Sequence, residues 1–128
     1  MSGLTLRALP PVSGLVLRAF PLARAGYAAL LLCAPGAVIG VCTGQPPSRL
    51  ARRTARVLGV RHLTQAVLTA WEPSRVVLAA GALADLAHSA SMLALAAGDR
   101  PARRAEITDG LIAAAFAGAG AALRPVAR

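Results

Sequence analysis

Arg61 and Asp85 lie twelve positions on either side of Pro73, and each stands inside a long apolar stretch. If these stretches are antiparallel helices joined by a turn at Pro73, both charges lie about 18 Å from the turn at a rise of about 1.5 Å per residue. That depth is near the middle of a hydrocarbon layer about 30 Å thick. Ionisable groups there are costly and usually have a role. The spacing therefore predicts a membrane hairpin that buries an acid opposite a base.

The composition is typical of a chain that folds in lipid. Hydrophobic residues make up 56% of the 128 residues, charged residues 15%, and the mean hydropathy is +0.60. Aromatic residues make up only 3%, which leaves few large rings to fill the core of a water-soluble domain. The length suits one domain. We expect an all-α integral membrane protein.

Four apolar segments predict a bundle of four transmembrane helices within a membrane domain at residues 25–124. The predicted spans are about 25–44, 52–71, 76–98 and 107–123. Arg24 precedes the first span, and Pro35 at its centre predicts a kink. Prolines at 10, 11 and 21 predict that residues 1–24 form a lead-in that is irregular or interfacial, and a cleaved signal segment is the alternative.

The net charge of +9 comes from 14 basic residues, all arginine, and most of them lie between the apolar segments. This distribution is typical of charges that orient membrane helices, and it argues against a nucleic-acid partner. The two possible assignments of loops to one side carry nearly equal numbers of arginines, so the orientation stays open. One basic group could also bind lipid headgroups; its members are Arg49, Arg52, Arg53 and Arg56.

The helical period predicts which faces point inward. In the second span a polar stripe consists of Thr54, Arg61, Gln65 and Glu72, and in the third the inward face consists of Gly81, Asp85, His88, Ser89 and Met92. In the last span a stripe of small residues would allow close packing; it consists of Ala114, Gly118 and Ala122. Asp109 lies in the first turn of the predicted span, where we expect it to cap the helix.

The side chains that could carry chemistry form one predicted polar cluster: Arg61, His62, Gln65, Asp85 and His88. Arg61 can pair with the Asp85 carboxylate through two hydrogen bonds, and His62 is an alternative partner. His88 lies one turn from Asp85. One interpretation is catalytic, with Asp85 as acid/base assisted by His88 and Arg61. The other, which we favour, is that polar contacts only determine how the helices pack.

No cofactor or metal site is predicted. Cys33 and Cys42 are nine residues apart on one predicted helix, on opposite faces, so they can neither form a disulfide nor share a metal. The sequence contains no Gly-rich phosphate loop, GxSxG or HExxH motif.

The segments from Arg56 to Gln65 and from Asp85 to Met92 together resemble small actinobacterial-type multi-pass membrane proteins of about four helices. Those proteins carry a similar Gly-x-Arg segment before one helix and an acidic residue in the next. The resemblance covers residues 50–123 and implies a fold and a membrane location. No activity is established for that group, so the resemblance implies no catalytic role.

Taken together, the sequence predicts a multi-pass protein of the cell (plasma) membrane with an accessory or scaffolding role. Its partners would be the lipid bilayer and either a second copy or another membrane protein. Two alternatives stay open: a membrane enzyme that acts on a lipophilic substrate, and a small proton-coupled transporter.

Overall fold

A computed structural model describes residues 14–98 and 103–123, which form five α-helices and no strand. The helices are α1 (Gly14–Cys33), α2 (Pro35–Thr43), α3 (Arg49–Trp71), α4 (Arg75–Gly98) and α5 (Arg103–Ala122). The all-α prediction is confirmed for this part of the chain. The first thirteen residues of the predicted lead-in lie outside the described residues, as do residues 99–102 and 124–128.

The first helix begins earlier than its predicted span. α1 starts at Gly14 and continues through Pro21, so residues 14–24 are helical rather than irregular. A proline inside a helix removes one backbone hydrogen bond, but helices packed on neighbours can accommodate it. Arg24 therefore lies within α1 and not at its end.

The predicted kink at Pro35 is a break between two helices. Ala34 leaves the helical region with φ −132°, and Pro35 becomes the first residue of α2. The Ala34 amide still donates a hydrogen bond to the Leu30 carbonyl at 2.9 Å, so the hydrogen bonding of α1 extends up to the break. α2 ends at Thr43, and the next residue, Gly44, has a φ of 70° in the left-handed region that favours glycine.

The helices form two closely packed antiparallel pairs, α1 with α3 and α4 with α5. Serine side chains begin two of the helices: Ser48 Oγ accepts a hydrogen bond from the Ala51 amide, and Ser74 Oγ accepts one from the Val77 amide. α3 and α4 do form the predicted hairpin around Pro73, but they pack loosely against each other. The closest helix contacts therefore lie within the two pairs and not within this hairpin.

Small residues form the contact surfaces within each pair. The buried face of α3 consists of Ala55, Gly59, His62, Ala66 and Thr69, and that of α5 consists of Gly110, Ala113, Ala117 and Gly120. These steps of three and four residues are those of helices packed at small crossing angles. The predicted stripe in the last span is wrong, because Ala114, Gly118 and Ala122 are exposed. In an alanine-rich helix the spacing of small residues does not distinguish one face from another.

The largest buried side chains are polar or charged, whereas many large apolar side chains are exposed. The three largest fully buried side chains are Arg24, His62 and Asp85, whereas the buried apolar residues are mostly alanine. Large apolar side chains are exposed on every described helix, among them Leu22, Val41, Val57, Leu83 and Leu111. By length and hydropathy, α1 and α4 could each cross a membrane. This criterion selects two of the described helices, not the four predicted.

Gly59 permits the closest approach of α1 and α3, and its replacement by alanine should be destabilising. A Cβ atom at this position would lie 2.8 Å from Leu32 Cγ and 3.1 Å from the Ala28 carbonyl oxygen. We expect Gly59→Ala to reduce the free energy of unfolding by about 1–3 kcal/mol, as overpacking does. Gly118→Ala is the matched control, because a Cβ there meets nothing within 4 Å. Thermal denaturation in detergent measures the stability of both variants. Equal stability of Gly59→Ala and Gly118→Ala would contradict the close approach of α1 and α3.

Candidate functional site: a buried ion cluster

Asp85 lies midway along α4 and is fully buried, at 0% exposure. Its Oδ2 accepts a hydrogen bond from Arg24 Nη2 at 2.6 Å, and its Oδ1 accepts one from Arg61 Nη2 at 3.0 Å. The two guanidinium groups come from different helices, α1 and α3. One carboxylate therefore joins three helices through charge-assisted hydrogen bonds.

Arg24 is the second buried charge, with 2% exposure. Besides Asp85, its guanidinium donates from Nη1 to Gln65 Oε1 at 2.5 Å. The guanidinium also lies against two rings, with Cζ 4.5 Å from the centroid of Phe116 and 5.1 Å from that of Phe20. Contacts of a cation with aromatic faces offset part of its burial cost. Arg24 thus links α1 to α3, α4 and α5.

Arg61 and Gln65 complete the group from α3. The side chain of Arg61 is 26% exposed, so this guanidinium reaches the edge of the bundle while it contacts Asp85. Gln65 accepts from Arg24 and donates from Nε2 to the Gly81 carbonyl at 3.4 Å. We call Arg24, Arg61, Gln65 and Asp85 the central cluster.

Sequence reasoning placed Arg61, Gln65 and Asp85 in one cluster, and the structure brings these three together. It missed Arg24, which was interpreted as a charge at the boundary of the first span. The helical period contains a signal, since Pro21, Arg24, Ala28 and Leu31 are the buried residues of α1 and follow at steps of three and four. Interpreting Pro21 as a helix breaker concealed this continuity.

His62 has a different role from the one proposed for it. The ring is 1% exposed and lies between Tyr27 and Phe116, with centroid distances of 5.2 and 5.4 Å. Its Nδ1 has no hydrogen-bond partner among the described residues. His62 therefore packs as an aromatic ring in the core and is not a partner of Asp85.

His88 also lies apart from Asp85. Its Nε2 is 2.7 Å from Asp109 Oδ2 on α5, and the Tyr27 hydroxyl donates to Asp109 Oδ1 at 3.5 Å. The side chains of His88 and Asp109 are 15% and 22% exposed. We call Tyr27, His88 and Asp109 the second cluster. Asp109 is not the predicted helix cap: α5 begins at Arg103, so Asp109 lies in its second turn and faces α4.

The predicted headgroup-binding arginines all lie in the first two turns of α3 and are exposed: Arg49, Arg52, Arg53 and Arg56. Ser48 caps the helix directly before them. Because they are exposed at one end of α3, their guanidinium groups can reach anions at that end of the bundle.

The geometry limits what chemistry Asp85 can perform. Each of its oxygens accepts a hydrogen bond from a guanidinium, and the side chain has no exposed surface. A general acid or base must be within hydrogen-bond reach of the substrate atom. No such position is open at Asp85. No group of three His, Cys, Asp or Glu side chains that could hold a metal ion is present within residues 14–98 and 103–123.

Comparisons with known proteins found no match among protein-family models, curated proteins or solved structures.

Proposed function

We propose that this chain is a four-span integral protein of the plasma membrane with an accessory or scaffolding role. The central cluster would hold the two helix pairs together inside the bundle. The observation that carries this proposal is the distribution of side chains, in which the largest fully buried groups are charged or polar while large apolar side chains are exposed on every described helix. In water such an arrangement would be unfavourable, because apolar side chains on every face would be exposed to solvent.

The low burial of α1 and α4, the two long apolar helices, supports a lipid environment. Each of these helices contains an apolar stretch of 18 residues, and only 22% of this stretch in α1 and 17% in α4 is buried within the bundle. A core helix of a soluble protein would be mostly buried, since its apolar surface must leave water. We propose that lipid, or further protein in the membrane, covers these helices.

α3 and α5 do not meet the criterion of length and hydropathy because they contain charged residues. The positions of these charges are nevertheless compatible with a membrane crossing. The arginines at 49, 52, 53 and 56 lie at one end of α3, and Arg61 is paired with Asp85. The outer face of α3 remains apolar, with Val57, Val60, Val67 and Leu68 each at least half exposed. In α5, Glu106 lies in the first turn, and Asp109 in the second turn is paired with His88. Charges at the ends or paired within the bundle are compatible with a crossing.

The geometry favours packing over catalysis for the central cluster. Interhelical polar contacts in membranes contribute about 0.6–2 kcal/mol each, which is enough to select one arrangement of helices. The cluster contacts all four long helices, and α3 and α4 pack only loosely elsewhere. In an enzyme or a proton-coupled transporter, a substrate or a proton would have to reach Asp85. Here the carboxylate is fully buried and bonded to two guanidinium groups.

Cysteine labelling tests the least hydrophobic span directly. α3 has 23 residues and is thus about 35 Å long, so the loops at its two ends should lie on opposite sides of the membrane. In a chain with Cys33→Ala and Cys42→Ala, we expect an impermeant maleimide to label only one of Gln45→Cys and Glu72→Cys in intact cells. The other should react only after permeabilisation.

Val60→Cys is the control for this experiment. Val60 lies mid-helix on the outer face of α3 and is 57% exposed, so in a bilayer its thiol should stay unlabelled until detergent is added. Labelling of both loop positions from the same side would show that α3 does not cross. Labelling of Val60→Cys in intact cells would remove the support for a lipid-facing surface.

A further inference from the structure

A lateral cleft separates the two helix pairs near the Pro73 turn. It has a volume of about 270 Å³, and its walls include Phe20, Leu68, Val77 and Leu78. Two polar side chains of the central cluster, Arg24 and Gln65, also line it. The cleft is therefore an apolar space with a buried guanidinium at its wall.

The central cluster carries an excess of positive charge. It contains two guanidinium groups, from Arg24 and Arg61, but a single carboxylate, from Asp85. Arg24 Nε is buried and has no hydrogen-bond partner among the described residues. A buried donor without a partner costs free energy, and the second guanidinium leaves the cluster with one positive charge that Asp85 does not balance. An anion beside Arg24 would accept a hydrogen bond from Nε and balance that charge.

The mouth of the cleft faces the outside of the bundle between α3 and α4. Two of its lining residues, Val76 and Leu68, are 77% and 53% exposed. Because these helices pack loosely, the space between them is continuous with the surface that we assign to lipid. An apolar chain could enter from the side.

We infer that the lateral cleft binds a long-chain fatty acid, with the carboxylate at Arg24 and the acyl chain directed to the mouth. This inference goes beyond the scaffolding role but rests on it for the route of entry. The Nε–H of Arg24 has no acceptor among the described residues, which suits a compact carboxylate head. The volume lies below the range of about 300–1,000 Å³ for pockets that enclose drug-sized ligands, so a two-chain phospholipid would not fit.

Photolabelling of the full-length chain in phosphatidylcholine nanodiscs tests this inference. The probe is palmitate with a diazirine on its chain, and labelled peptides are identified by mass spectrometry. We expect labelling at the mouth, around Leu68 and Val76, that unlabelled palmitate competes away. The methyl ester of the same probe should label these positions about tenfold less, because it lacks the charge-assisted hydrogen bond.

Gly81→Leu should block the cleft without removing a charge. Gly81 lines the cleft, and a Cβ there would lie 3.9 Å from Gln65 Nε2, so a leucine side chain would extend into the space. We expect at least about tenfold less labelling at the mouth, since the variant removes the space that the acyl chain occupies. Gly26→Leu is the matched control, because its Cβ meets nothing within 4 Å and the position is exposed. If Gly81→Leu does not fold, Val77→Phe serves the same purpose.

Equal labelling by acid and ester, or unchanged labelling in a folded cleft-blocking variant, would overturn the fatty-acid site. These results leave the membrane proposal untouched, because that proposal is tested by the accessibility of Gln45→Cys and Glu72→Cys. A chain that failed the cysteine test but bound palmitate at Arg24 would instead keep the site and lose the lateral route of entry.

Discussion

Asp85→Ala is expected to reduce the free energy of unfolding by about 3–5 kcal/mol, the usual cost of breaking a buried ion pair by removing one partner. The substitution leaves Arg24 at 2% exposure with no carboxylate, and it also frees Arg61. Asp85→Asn should be destabilising too, because a neutral amide does not balance either guanidinium. Thermal or chemical denaturation in detergent, together with the yield of folded protein, measures both variants.

A double-mutant cycle separates packing from chemistry. If the cluster serves packing, Arg24→Met combined with Asp85→Leu should cost less than the sum of the two single changes, because no buried charge is left without a partner at those positions. The matched control is Leu83→Ala on the exposed face of α4, where little change is expected. Normal folding of both Asp85 variants, with loss of a lipid product or of solute uptake, would contradict the scaffolding role and support an enzyme or a transporter.

The two arginines of the central cluster should differ strongly when each is replaced by methionine. Arg24→Met removes a buried guanidinium that bonds Asp85 and Gln65 and contacts two aromatic rings, so we expect a loss of about 3–5 kcal/mol. Arg61→Met removes a partner that is 26% exposed while Arg24 still bonds Asp85, so we expect a loss of about 1 kcal/mol or less. Denaturation midpoints of the two variants under identical conditions test the order.

The reverse order would show that Arg61 is the main partner of Asp85, as the sequence alone suggested. Arg18→Met is the control for the loss of an arginine from α1, because Arg18 is exposed on the same helix. A loss in Arg18→Met as large as that in Arg24→Met would mean that net charge, and not the buried pair, determines stability.

Much of the helical fold could be predicted from local patterns. The apolar runs, the turn at Pro73 and Ser48 before α3 depend on residues close together in the chain, and these features agree with the helix bounds that the structure has. The start of α1 was missed, since a proline ends most helices but not all. The packing stripe of α5 was also missed, because alanine and glycine occur on every face of that helix.

The candidate site was predictable only in part. Arg61 and Asp85 lie on consecutive helices that are joined by one chain turn, at Pro73. Because each is twelve residues from that turn, the rise per residue predicts the same depth for both. The same arithmetic could not assign His88, whose partner Asp109 lies on a helix reached through another turn. Nor could it show that His62 faces Tyr27 and Phe116, because the rotation of each helix about its axis depends on its neighbours.

The sequence by itself determined that the chain is helical, that its outer faces are apolar and that an acid and a base face each other across the α3–α4 turn. Only the tertiary structure decided that Asp85 is bound chiefly by Arg24, a residue 61 positions away. The physical reason is that periodicity specifies which side of a helix is buried but not which helix covers it. That choice follows from how closely small residues such as Gly59 let two backbones approach.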